Sequence, residues 1–73
     1  MENKQAILDA LLAAIRLTRA GEDVTELQYD REKEEVHVYF KANNEGYPGR
    51  RINVAMDSGI AMLRDVLNHI DIG

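Results

Sequence analysis

The chain of 73 residues contains no cysteine and no tryptophan, and it has a single proline and a single phenylalanine. Without cysteine there is neither a disulfide framework nor a thiolate zinc site to staple so small a chain, so a packed core must do that work. A long apolar run is missing too. The most hydrophobic stretch, AILDALLAAI, is interrupted by Asp9, so neither a signal peptide nor a membrane span is expected. A soluble, cytoplasmic protein is the resulting expectation. Basic charge is also in short supply, the formal net charge being -4. Nucleic-acid binding depends on a basic face that neutralises phosphates, so that role is not the first to be expected.

What is present suits a single globular domain spanning residues 1–73. Apolar residues make up 45% of the chain, too many for a disordered tail, and charged residues make up 30%. The acidity is local. Glu22, Asp23, Glu26, Asp30, Glu32, Glu34 and Glu35 gather in one segment against only Arg31 and Lys33. Lys41, Arg50 and Arg51 form the one basic cluster.

The periodicity predicts five elements. Residues 4–20 read as a helix, free of Gly and Pro, rich in Ala and Leu, and closed by Gly21 as a C-cap. Its main apolar face is Ile7, Leu8, Leu11 and Ile15, with Gln5, Asp9 and Arg16 as a polar stripe. VTELQYD alternates, placing Thr25, Leu27 and Tyr29 on one side and Glu26 and Gln28 on the other. EVHVYFK alternates more strongly, with Val36, Val38 and Phe40 opposed to His37, Tyr39 and Lys41. DREKE between them reads as a hairpin turn. RINVAM predicts a third strand with Ile52, Val54 and Met56 inward and Arg51, Asn53 and Ala55 outward. A final helix follows over 58–70, capped by Asp57 or Ser58, with Ile60, Leu63, Val66, Leu67 and Ile70 on one face.

The fold class expected is therefore α+β, in the order α-β-β-β-α. A three-stranded antiparallel meander would have both helices packed on one face, with Val36, Val38 and Phe40 buried against Leu11 and Leu63. The stretch NNEGYPGRRINVAMDSG, residues 43–59, is rich in turn formers: Asn43, Asn44, Gly46, Pro48 and Gly49 suit a chain reversal between strands two and three. Arg50 and Arg51 alternate across a strand start and would not project together. No phosphate-loop pattern is present, and Asp57 would repel an anion at the final helix.

The α-β-β-β-α order at this length resembles that of the double-stranded RNA-binding domain. The resemblance implies the fold. That family contacts phosphate through basic residues at the start of the last helix and enters a minor groove with the first hairpin turn. Here those positions read MDSGIA and DREKEE, without the required charge, so no RNA-contact residue carries over.

Candidate chemistry is thin. Asp65 and His69 sit at i, i+4 and read as an exposed pair near a helix end. Ser58, Asp65 and His69 cannot form a triad, because the helix rise separates Ser58 from His69 by roughly 16 Å. No catalytic residue, metal ligand or cofactor is assigned, and an enzyme is not expected.

Association is the stronger signal. Ala6, Ala10, Ala13 and Leu17 form a second, small-residue strip on the first helix, suited to a homodimer contact; strand addition at an edge is a second route. The open sheet face, Gln28, His37, Tyr39, Lys41, Arg51 and Asn53, is the candidate partner-binding surface. The leading expectation is a small non-catalytic protein-interaction module, an accessory or inhibitor subunit of the kind a phage or mobile element carries, acting as a homodimer with an unknown protein partner. The acidic hairpin could also mimic phosphates in the groove of a DNA-binding protein. The alternative is a nucleic-acid-associated protein using the open face and the basic 41–51 loop. A third is a small-ligand or metal binder through His37 and Tyr39.

Overall fold

A computed structural model describes residues 3–42 and 49–72. The order is α1 (Lys4–Ile15), β1 (Val24–Asp30), β2 (Glu35–Phe40), β3 (Arg50–Asn53) and α2 (Gly59–Ile72). The strands form one antiparallel sheet in the order β1-β2-β3, and the helices pack on it as expected for the α+β class. The turn assigned to Asn43, Asn44, Gly46 and Pro48 lies outside the described residues.

Helix α1 starts where Asn3, in extended conformation, accepts the Ala6 amide on its side chain at 3.0 Å, filling one of the donors a helix start leaves unpaired. It ends five residues earlier than the composition suggests. The backbone N–H of Thr18 donates to the Ile15 carbonyl at 2.9 Å, and its hydroxyl donates to the same oxygen at 2.6 Å. That local bonding competes with helix continuation and closes a turn, in which the Thr18 hydroxyl then accepts the Gly21 amide at 3.1 Å. Gly21 is therefore not the helix cap. It is buried against the helix end, where a β-carbon would lie 2.3 Å from the Ile15 carbonyl oxygen. Glycine is required here by close approach of backbone to backbone.

The core is the inner face of the sheet closed by the two helices. Val36 and Val38 of β2, Ile52 of β3 and Val54 just beyond it are buried, as are Leu8 and Ile15 of α1 and Met62, Val66 and Ile70 of α2. Ile7, Leu11, Leu12, Tyr29 and Phe40 pack around them, half-buried.

Three sequence expectations are corrected by this packing. The pairing steps from Val24↔Phe40 to Glu26↔Tyr39, so Thr25 is the extra residue of a bulge. The bulge puts Val24 and Leu27 on the same, buried face, although they are three apart, and leaves Thr25 exposed. Next, β3 stops at Asn53: the Asp57 amide donates to the Val54 carbonyl at 3.0 Å, and this turn throws Met56 into solvent at 96% exposure rather than inward. Finally, α2 presents Met62, Val66 and Ile70 to the core, which rotates Ile60 (69% exposed) and Leu67 (43% exposed) outward. Ser58, not Asp57, caps α2, its hydroxyl accepting the Ala61 amide at 3.2 Å.

One side chain joins the first helix to the sheet. The Gln5 amide nitrogen donates to the Leu27 carbonyl at 3.1 Å, and its oxygen accepts the Tyr29 amide at 2.8 Å. Those are the outward-facing backbone groups of edge strand β1, so the glutamine occupies the place of a further strand. Asp9 accepts the other Gln5 proton at 2.8 Å and holds the amide in that orientation. Lys4 reaches across the sheet end, its ammonium donating to the Val54 carbonyl at 3.0 Å and lying 5.5 Å from the Tyr29 ring centre.

Two measurements check this account. Gly21→Ala should lower the unfolding free energy by about 2 kcal/mol through backbone overpacking, read as a reduced urea midpoint; an unchanged midpoint would contradict the close approach. Gln5→Ala should cost about 1–2 kcal/mol and speed hydrogen exchange at the Tyr29 amide, which loses its acceptor, more than at amides paired within the β1–β2 ladder.

Candidate functional site: the open sheet face

The register arranges the outward side chains in transverse rows. Gln28, His37 and Arg51 face one another across all three strands, because Gln28 pairs with His37 and His37 with Arg51. The next row is Asp30, Glu35 and Asn53, and on the other side Glu26 stands against Tyr39. Of the residues singled out in the sequence, Gln28, His37, Tyr39, Arg51 and Asn53 are thus brought together. Lys41 falls one residue past the end of β2, and its amide continues the ladder by donating to the Asp23 carbonyl at 2.9 Å. Arg50 pairs with Val38 in the register and Arg51 with His37, so the two arginines alternate as expected.

The candidate residues named from the sequence leave out the carboxylates of this face. Glu26, Asp30 and Glu35 stand among the residues named above, and Asp30 and Glu35 face each other directly across the ladder. The signal was available: in DREKEEVH, a hairpin with a four-residue turn puts its first Asp opposite the second of its paired glutamates, two residues from His37.

The local chain positions each group. Asp30 closes the hairpin by accepting the amides of Glu32 and Lys33 on Oδ1, at 3.0 and 3.2 Å. Glu34 takes a positive φ of 52° to complete that turn. His37 Nε2 lies 3.3 Å from Glu35 Oε1. One ligating atom each from Asp30, Glu35 and His37 falls within 4.8 Å of the others, and all three residues are half-buried. The Lys33 amide, then the Glu32 amide and the His37 and Lys33 charges, hold the Asp30 carboxyl below its ordinary value despite some opposing desolvation. Tyr39 is half-buried on the same face, and Gln28 donates to the Glu26 carboxylate.

Elsewhere the residues considered for chemistry are engaged in structure. Ser58 caps α2, and His69 Nδ1 meets the backbone carbonyl of Asp65 at 2.8 Å, not its carboxylate. The Asp65 carboxyl instead contacts that of Asp57. This contact, followed by desolvation and Coulomb repulsion from Asp65, raises the Asp57 carboxyl above its ordinary value, with Lys4 opposing the rise. Asp57 Oδ2 is buried without a hydrogen-bond partner. In place of the expected Asp65–His69 side-chain pair, the imidazole bonds the Asp65 backbone.

No family model, no curated protein and no solved structure matches this chain. The resemblance to the double-stranded RNA-binding domain is one of element order. No helix among the described residues is long and apolar enough to cross a membrane.

The two perturbed acids titrate with opposite sign. Asp57, raised in the folded state, contributes stability below its unfolded value near 3.8 that is lost as pH rises through its folded value. Asp30, lowered in the folded state, contributes stability above about the same value that is lost as pH falls. Asp57→Asn should therefore raise the melting temperature more at neutral pH than below pH 3.8, and Asp30→Asn should lower it chiefly at neutral pH. Melting curves of the two variants across pH check both signs; equal shifts at every pH would count against the acid contacts described.

Proposed function

We infer that this protein is a small, non-catalytic interaction module that pairs with a second copy of itself through its helical layer and presents its polar sheet face to another protein. The observation that carries the reading is the uneven distribution of exposed apolar surface. Ile60, Leu63 and Leu67 recur at i, i+3 and i+7 along one flank of α2, with Ile60 and Leu67 exposed and Leu63 half-buried. Met56 stands free just before that helix. Among the described residues, the outward side chains paired across the sheet are polar groups and Tyr39. An apolar stripe on one layer beside a polar opposite face is what a self-associating domain requires, since single exposed apolar residues scattered over a surface carry no such meaning.

The stripe on α1 contributes less than the sequence suggests. Ala6, Ala10 and Ala13 are exposed along the helix, but α1 ends at Ile15, so Leu17, 89% exposed, stands in the following turn and not on that strip. The nucleic-acid alternative has less support, because Glu26, Asp30 and Glu35 share the face that Arg51 would use and oppose phosphate. Support for a non-catalytic role comes from Ser58 and His69, both bonded to backbone.

Light scattering on the wild type is expected to give a dimer mass. Ile60→Glu and Leu67→Glu should each shift the mass to a folded monomer, while Ala10→Glu and Leu17→Glu should leave it dimeric. A wild-type monomer at every concentration would overturn self-association; a dimer split by Ala10→Glu alone would move the interface to α1.

A further inference from the structure

We propose that Asp30, Glu35 and His37 form a binding site for a divalent first-row cation of the zinc type, with a fourth position open to water. These residues lie on adjacent rows of one two-stranded ladder, so rigid backbone rather than a loop sets their spacing. The donor set is chemically apt: one imidazole and two carboxylates are borderline and hard ligands that such cations accept together.

The separation fits as well. With metal–ligand bonds near 2.0–2.2 Å, two ligands of a tetrahedral site lie about 3.4 Å apart. His37 Nε2 and Glu35 Oε1 already stand at 3.3 Å, and the three ligating atoms fall within 4.8 Å of one another. Small rotations of half-exposed side chains close the remainder.

A second observation points the same way. Asp30 and Glu35 are like charges directly opposed across an antiparallel pair, an arrangement that destabilises a ladder unless something neutralises it. His37 beside Glu35, at 3.3 Å, makes the one ion pair found among the described residues. No Lys or Arg among them forms an ion pair with either carboxylate. Meanwhile the turn amides of Glu32 and Lys33 both bond Asp30 Oδ1, leaving Oδ2 for a ligand. A bound cation satisfies both carboxylates and takes the neutral imidazole as its third ligand.

The test is calorimetric titration of the full chain with zinc chloride, alongside amide exchange of the hairpin. The expected result is one ion per chain, with slower exchange at the amides of Glu32 and Lys33. His37→Ala and the near-isosteric Glu35→Gln should each weaken binding by more than about a hundredfold, beyond the roughly 10–100-fold that losing a mere supporting group costs. Both positions lie on the outer sheet face, so circular dichroism should confirm that the variants fold. His69→Ala, at the exposed end of α2, should bind as the wild type does. No heat at millimolar zinc would overturn the proposal. So would affinity that survives His37→Ala, or that disappears with His69→Ala.

Discussion

The Gln5 amide is the contact on which the arrangement of this fold turns. Burial of the valines, leucines and isoleucines between helices and sheet supplies far more free energy, about 1.5–3 kcal/mol for each fully buried side chain. That term has no direction, however, and would accept α1 at several positions over the same apolar face. Two hydrogen bonds from one side chain to Leu27 and Tyr29 of β1 do have direction. They lay α1 along the outer edge of β1, and Leu8 and Ile15 then reach the core from that side. The remainder of the sheet's inner face is left for Met62, Val66 and Ile70 of α2.

The same contact shows why a sequence reading placed the elements well and their faces less well. Gln5 reads as part of a solvated polar stripe, because nothing in a single sequence reveals that a surface amide will meet a strand edge 22 residues away. The strict alternation of β2, with Val36 and Val38 inward, was legible because a central strand has its parity enforced by neighbours on both sides. On edge strand β1 the bulge at Thr25 breaks the parity, and no residue type there announces it. The early end of α1 was hidden for a different reason: Thr18 competes for the Ile15 carbonyl only once the chain has turned. On α2 the apolar set is wider than one face, and the periodicity alone did not show that Met62, with Val66 and Ile70, turns to the core while Ile60 lies exposed.

The candidate surface was legible in part for the same reason. Alternation alone assigns His37, Tyr39, Arg51 and Asn53 to one side, and the register confirms that they share it. Which of them touch depends on the pairing across the hairpin, and that follows from the Asp30 turn. A reading that looks for ligand motifs along the chain passes over Asp30, Glu35 and His37, because their relation is transverse to the strands.

The edges of the sheet bear on how the molecule can associate. Strand addition needs a free row of backbone groups. On β1 that row is taken at Leu27 and Tyr29 by Gln5, and removing the glutamine from it would also detach α1. On β3 no side chain among the described residues takes that place, but the strand is short, Arg50–Asn53, and carries the Arg51 charge, two of the devices by which edges resist pairing. Both edges are thus handicapped. The outer flank of α2 has no comparable protection: Ile60 and Leu67 lie open beside Leu63, and no turn or helix cap needs them there. In the proposed reading it is therefore the helical layer, not the sheet edge, that a second copy would cover.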